Sequence, residues 1–160
     1  MKPLKPIHAN TVPSQSGSNY PEPYKSRMGD ASWLPLSEQF DLTQFGVNLE
    51  TLAPNAESAL RHWHDLEDEF VYVLEGELVL RTDEGESTLT AGMCVGFKAG
   101  VENAHHLVNR SDVPARFMIV GSRIQADMAY YPDDDLAWVK TGEGVQAAHK
   151  NGDVYPPDVS

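Results

Sequence analysis

The chain has 160 residues, the length of a single domain with room for a hydrophobic core. Its 24 Asp and Glu residues outnumber its 12 Lys and Arg residues, so the formal net charge is −12, and this acidity argues against nucleic acid or an anionic membrane surface as a partner. The single cysteine, Cys94, excludes a disulfide within the chain and gives no sign of an oxidising compartment.

Residues 1–32 are predicted to form an extended, proline-rich arm. The segment shows no apolar period of a helix or a strand. Partial ordering is expected, because Trp33 and Leu34 follow at once and need a surface to pack against. The segment also lacks the apolar stretch of a secretory signal, and later apolar runs are too short to cross a bilayer. A soluble cytoplasmic protein is therefore expected.

Residues 33–125 are predicted to form an all-β antiparallel barrel or sandwich. Short segments rich in alternating or β-branched residues are divided by Gly, Asn, Asp or Pro, with no helical period between them. The predicted strands are 45–52, 69–76, 77–82, 86–90, 93–100, 105–111 and 115–122, and DEGE at 83–86 predicts a hairpin turn.

The segment 70–74 (FVYVL) is apolar on both of its faces. A strand of this kind is expected to be covered outside as well as inside. Either the N-terminal arm or a second subunit could supply the cover, and a homodimer is the prediction.

Residues 126–160 are predicted to form an irregular tail packed on the barrel, with Trp138 as its anchor. The three consecutive aspartates at 133–135 could hold a hard cation. The spacing of an EF-hand is absent, so a solvated loop is the favoured interpretation.

Two histidines one residue apart, His62 and His64, are the first candidates for metal ligands. Alternate residues of a strand share a face, so the two imidazoles point the same way from Cα atoms about 6.6 Å apart. A polar turn at 65–68 precedes Glu69, and an antiparallel return would bring its carboxylate to the same point. A further ligand is expected from the pair His105–His106, of which only one can face inward.

These residues resemble the two sequence motifs of the cupin superfamily. HWH at 62–64, followed by Glu69 and Gly76, is similar to the first motif, and GMCVGFKAGVENAHHLVN at 92–109 is similar to the second. The chain departs from the usual motifs at Ala56 (commonly glycine) and Lys98 (commonly proline). It also has a longer turn between Gly100 and the histidine pair.

The resemblance implies a double-stranded β-helix, or jelly-roll, that holds one divalent transition metal. The implied ligands are His62, His64, Glu69 and His105. His105 is preferred to His106, because it keeps the H-x-x-x-N spacing to Asn109. Three imidazoles and a carboxylate suit Mn, Fe, Ni or Zn better than Mg or Ca.

Polar residues around the histidine motifs are predicted to lie at the barrel mouth: Asp65, Glu67, Asp68, Lys98 and Asn103. For the three acidic residues a solvated turn is favoured over an acid–base role, whereas Lys98 could touch an acidic substrate. His106 is either a group near the site or an outward, half-exposed residue. Cys94 lies among apolar residues and is predicted to be buried and unreactive.

Two enzymatic chemistries are compatible with this ligand set. An isomerase of a sugar or sugar phosphate, in which the metal polarises an oxygen while a base moves a proton, is the first choice. A metal-dependent dioxygenase is the second. A non-catalytic module that binds a small molecule is the alternative from another class. A small-molecule ligand or substrate is the predicted partner in each case.

Overall fold

The computed structural model describes residues 5–157, so the first four residues of the predicted arm and the last three of the predicted tail lie outside the described part. The strands are β1 (Gln15–Ser16), β2 (Ala31–Pro35), β3 (Phe45–Leu52), β4 (Trp63–His64), β5 (Glu69–Glu75), β6 (Glu77–Thr82), β7 (Gly85–Thr90), β8 (Cys94–Phe97), β9 (His106–Val108), β10 (Ala115–Ser122), β11 (Ala129–Tyr130), β12 (Ala137–Thr141) and β13 (Gly144–Ala148). Over residues 5–157, helical structure is limited to α1 (Tyr24–Arg27) and two 3-10 turns (Ala9–Thr11 and Ser37–Phe40). Within the described range no helix is long and apolar enough to cross a membrane.

Two antiparallel sheets form a jelly-roll. The larger sheet has the order β1-β2-β3-β10-β5-β8, and the smaller one has the order β7-β6-β9. Two further pairs, β4 with β11 and β12 with β13, lie outside these sheets. The predicted all-β jelly-roll barrel is confirmed.

Strand alternation accounts for the boundaries that the sequence predicted. The segments 45–52, 77–82 and 115–122 coincide with β3, β6 and β10. The predicted strand at 105–111 is shorter in the structure, where only His106–Val108 pairs with β6. The hairpin turn around 83–86 is confirmed, since Thr82 pairs with Gly85.

The core lies between the two sheets. Val71 and Val73 of β5 and Phe117 of β10 face Leu78 of β6 and Leu107 of β9, and all five are buried. Each comes from the inward set of an alternating strand, so the alternation itself assembles the core. Deleting a ring as deeply buried as Phe117 typically costs about 3–5 kcal/mol.

The N-terminal arm packs on the chain's own body. Strand β2 pairs with β3, and β1 pairs with β2, so the arm extends the edge of the larger sheet. Tyr24 and Met28 then join a second apolar cluster with Leu60, Tyr131 and Leu136, against which Trp138 packs. This cluster ties the arm and the tail to the barrel. The division into an arm (1–32), a barrel (33–125) and a tail (126–160) stays a prediction.

The C-terminal tail contains more regular structure than its composition indicated. It holds strand β11 and the hairpin β12–β13. Asp133 and Asp135 are exposed, as a solvated loop predicts, whereas Asp134 is buried, and each carboxylate also has a partner. Asp133 binds Arg61, Asp134 is buried against Arg27, and Asp135 accepts hydrogen bonds from His149 and from the Lys150 amide. The triplet therefore fastens the tail to the arm and barrel.

The outer face of β5 is open to solvent in the single chain. Phe70, Tyr72 and Leu74 are 40%, 36% and 42% exposed. The arm adds to the sheet edge beyond β3 and does not cover this face. Of the two covers expected, the arm is thus excluded for the described residues, and a second subunit stays a prediction.

Cys94 is exposed, and the prediction of a buried thiol is wrong. It lies in β8, the edge strand of the larger sheet, opposite Tyr72 of β5. Val95 and Phe97 take the inward positions of β8 and pack against the core. Because alternate residues face opposite ways, Cys94 is left on the outer face.

Candidate metal centre

Three histidines and a glutamate are brought together on the inner side of the barrel. His64 lies in β4, His62 forms a bridge with His105, and Glu69 begins β5. The expected hairpin over 62–69 is wrong, because β4 pairs with β11 whereas β5 pairs with β8 and β10. The segment 65–68 connects strands of two different sheets, and the bridge between His62 and His105 brings the third imidazole to the other ligands.

The imidazoles converge on Oε2 of Glu69. This oxygen is 2.8 Å from Nε2 of His105, 3.7 Å from Nε2 of His62 and 3.8 Å from Nε2 of His64. Two ligands that are each about 2.1 Å from one ion lie at most about 4.2 Å apart, so these separations suit a shared ion.

His64 lies at the edge of the converging group. The ligand atoms of His62, Glu69 and His105 all lie within 4.8 Å of one another, and His64 falls outside that group. Its Nε2 is nevertheless almost as close to Glu69 as that of His62. The His62 and His64 rings thus approach the same carboxylate oxygen.

Hydrogen bonds and packing fix the orientation of the imidazoles. Nδ1–H of His62 donates to the carbonyl of Leu60 at 2.7 Å, and Nδ1–H of His64 donates to Oδ2 of Asp127 at 2.5 Å. Each bond leaves the Nε2 lone pair directed at the convergence point, as in metal sites with an orienting partner. Phe97 stacks on His105 with ring centroids 3.5 Å apart.

The protonation states also suit a metal ion. Burial alone would raise the pKa of Glu69, but hydrogen bonds from His105 and His62 outweigh it, and the pKa is lowered. Burial lowers the pKa of His105. A divalent transition metal requires an ionised carboxylate and neutral imidazoles. The residues present therefore fit such an ion.

His106 does not belong to the converging group, although it lines the same cavity. It is 3% exposed, Nδ1–H donates to the carbonyl of Ala59 at 2.9 Å, and the carboxylate of Glu57 is 3.5 Å away. Burial lowers the pKa of this imidazole. The half-exposed alternative is thus wrong, and His106 ties β9 to the segment that precedes β4.

Asp127, which the sequence did not single out, has a positioning role. Besides accepting the hydrogen bond from His64, it accepts bonds from the amides of Leu66 and Glu67 through Oδ1. These bonds lower its pKa against the opposing effect of burial. His64, Glu67 and Asp127 form a second group of closely spaced ligand atoms, but the bonds already made by Asp127 account for it. A carboxylate far along the chain carried no motif by which it could be found.

The four converging residues line a cavity of about 510 Å³. Its walls include polar groups from the arm, from β3 and from the tail, namely Asn19, Tyr20, Asn48, Glu50 and Tyr131. A second cavity of about 390 Å³ shares His64, Glu69 and His105 and contains Lys98 and Asn103. The convergence point thus separates two chambers.

The acidic residues at the mouth accept hydrogen bonds from backbone amides of neighbouring segments. Oδ1 of Asp65 accepts from the Met128 amide, Oδ1 of Asp68 accepts from the Ala99 amide, and Glu67 accepts from the Ile124 amide. Asp68 is exposed and Asp65 and Glu67 are partly exposed, as a solvated turn predicts, and the hydrogen bonds to backbone amides hold the turn in place. Asn103 similarly accepts from the Asp83 amide.

Known proteins share this fold and these motifs. The sequence profile of the family described as Cupin domain matches residues 48–121. The crystal structure of a protein named sugar phosphate isomerase from a cupin superfamily, from Silicibacter pomeroyi, is 40% identical, covers 96% of this chain and 98% of its own, and superimposes with a TM-score of 0.88. A predicted oxalate decarboxylase from Thermotoga maritima shares the fold at 19% identity, with a TM-score of 0.62 over 75% of this chain and all of its own.

A curated relative matches over a shorter stretch. The tetracenomycin polyketide synthase protein TcmJ of Streptomyces glaucescens is 37% identical over 65 residues, which are 41% of this chain and 42% of that protein. The match thus spans less than half of the relative's length. The extent of the similarity to the S. pomeroyi structure is decisive for the family. The chain belongs to the cupin superfamily.

Proposed function

We propose that this protein is a metal-dependent isomerase that acts on a small sugar or sugar phosphate. The observation that carries the proposal is the convergence of three Nε2 atoms and one carboxylate oxygen at the wall of a cavity with both polar and apolar sides. The S. pomeroyi relative, a sugar phosphate isomerase by name, supports the same reaction class.

His62, His64, Glu69 and His105 would hold one Mn, Fe, Ni or Zn ion. When bound, such an ion polarises a carbonyl or hydroxyl oxygen of the substrate. Asp127 and the Leu60 carbonyl keep two of the rings in the required tautomer.

The remaining walls serve a small polar substrate. Val71, Phe117 and Ile119 supply apolar surface that excludes water from one side of the cavity, and Asn48 and Asn19 offer amides for hydroxyl groups. A sugar presents the same combination of ring carbons and hydroxyls.

In this proposal Arg123 would bind an anionic end of the substrate. Its guanidinium packs against the backbone of Gly46, and both residues line the cavity. A Cβ atom added at Gly46 would lie only 3.2 Å from Nε of Arg123. The contacts that hold it are long, at 3.4 Å to the carbonyl of Leu42 and 3.8 Å to the carboxylate of Glu38. A phosphate would make shorter, charge-assisted hydrogen bonds with the same guanidinium, which supports a phosphorylated substrate.

Metal analysis with two adjacent variants tests the centre. His105→Ala should lose bound metal, whereas His106→Ala should keep it, because only the first ring approaches Glu69. Purified proteins would be loaded separately with Mn, Fe, Ni and Zn, and bound metal would be measured by mass spectrometry. Equal metal content in the two variants would contradict the ligand set.

Screening of the loaded protein tests the reaction. Interconversion of aldose and ketose phosphates, followed by NMR, is the expected result. Oxygen uptake with a substrate but no isomerisation would instead support a dioxygenase. Tight binding without turnover in either screen would support a binding module.

A further inference from the structure

Glu50 is a carboxylate inside the barrel that none of the sequence motifs includes. It lies in β3, where it is paired with Phe117 of β10 on one side and Trp33 of β2 on the other. Phe117 is fully buried and belongs to the inward set of β10, so Glu50 also faces inward. Its side chain lines the same cavity as Glu69, His62 and His105.

No cation neutralises Glu50 within residues 5–157. Its described side-chain partner is Asn48, two residues earlier on the same face of β3, whereas the other acidic groups of the site contact a histidine or a backbone amide. Burial, followed by the negative charge of Glu69, raises its pKa from 4.5 to about 7. A half-buried carboxylate without a cation is costly, and such groups are concentrated at functional sites.

We infer that Glu50 is the acid–base residue that transfers the proton in the reaction, and that the substrate is an α-hydroxy aldehyde or ketone. This inference rests on the proposed function. Glu50 and the centre at Glu69 line one cavity. In the proposed reaction the substrate would lie between them, with its oxygens at the centre and its adjacent carbon toward Glu50.

The proton transfer balances within the substrate. The Glu50 carboxylate takes the proton from C2 of the aldose, and the C–H electron pair forms the C1–C2 double bond of an enediol. The resulting carboxylic acid returns the proton to C1, and a hydroxyl proton moves from O2 to O1. The aldose becomes a ketose, Glu50 is again ionised, and no oxidant or reductant is consumed.

The test compares Glu50→Gln and Glu50→Asp with Glu77→Gln, a control at an exposed position of β6. Each metal-loaded protein is incubated in D₂O with aldose and ketose phosphates of three to six carbons. Deuterium incorporation at C1 or C2 is followed by ¹H NMR, and bound metal is measured by mass spectrometry. A proton-transfer residue typically contributes about 10²–10⁴-fold, so Glu50→Gln should lose at least about 100-fold with unchanged metal content. Glu50→Asp should retain measurable exchange, and the control should match the wild type.

The possible outcomes separate the two proposals. Undiminished exchange in metal-loaded Glu50→Gln would overturn the role of Glu50 and leave the isomerase intact. Loss of metal in that variant would make Glu50 part of the metal centre and would also overturn its assigned role. No exchange by wild type with any of these sugars would overturn the proposed function, and the role of Glu50 with it.

Discussion

Removal of the ionisable group at position 50 should stabilise the metal-free protein at neutral and alkaline pH. The pKa of Glu50 is raised from 4.5 to about 7, chiefly by burial. A folded-state pKa above the unfolded value means that the native protein binds the proton more tightly. Stability therefore falls as the pH rises from about 4.5 to about 7, and it stays at the lower value above that range.

The size of the effect follows from the same shift. Each tenfold difference in proton affinity corresponds to about 1.4 kcal/mol, so the full cost of ionising Glu50 is about 3 kcal/mol above pH 7. In a chain of this length a change of about 1 kcal/mol moves the melting temperature by about 2–4 °C. The difference in melting temperature between Glu50→Gln and wild type should therefore grow by several degrees as the pH rises from about 4.5 to about 7.

Urea denaturation of chelator-treated protein at pH 5, 6, 7 and 8 measures this directly. The quantity of interest is the difference in unfolding free energy between variant and wild type, because pH-independent effects of the amide cancel from its slope. Glu77→Gln, at an exposed position, should show no such slope. A stability difference for Glu50→Gln that is constant across the four pH values would refute the assignment of a raised pKa to Glu50.

Three further predictions follow from the site and from the outer face of the barrel. Asp127→Asn should weaken metal binding by about 10–100-fold, because the amide no longer holds His64 as a carboxylate does, and competition with a chelator measures the change. Arg123→Gln should raise KM for a phosphorylated sugar at least about tenfold, since a hydrogen bond to a charged group is worth about 1.5–3 kcal/mol. The KM for the unphosphorylated sugar should change little. Equal effects on both KM values would contradict a phosphate-binding role for Arg123. Tyr72→Glu on the outer face of β5 should shift the predicted dimer to a monomer in light scattering, and a monomeric wild type would contradict the dimer.

Alternation along single strands made much of the barrel predictable. Three strands were predicted with their observed bounds, because apolar and polar residues alternate cleanly between turn residues. The convergence of His62 with Glu69 was also foreseen, although for the wrong reason. A local hairpin was inferred, whereas in the structure the chain crosses from one sheet to another. The pairing of β4 with β11 joins residues 65 and 67 positions apart, and no local pattern predicts such a pairing.

Cys94 and Glu50 show why the rest could not be predicted. The sequence around Cys94 is apolar, but the outer face of an edge strand can also be apolar, so composition did not determine which residues turn inward. In β3, Leu49 is buried under neighbouring structure on the outer side while Glu50 takes the inner side. A single glutamate on an apolar strand normally indicates the face exposed to solvent. The one sign of an inward position was that Glu50 shares a strand face with the buried Leu52, two residues later.

The second apolar cluster has a consequence for the minimal working unit of this protein. Tyr131 from the tail lies beside His62 with the ring centroids 5.8 Å apart, and Tyr20 from the arm meets Tyr131 edge-on. Both rings lie outside the matched stretch 48–121, as does Asp127. A fragment trimmed to that stretch would carry all four converging side chains. It would lack the cavity wall formed by Tyr20 and Tyr131 and the hydrogen bond from His64 to Asp127. In this protein the N-terminal arm and the C-terminal tail complete the wall of the cavity beside the converging histidines.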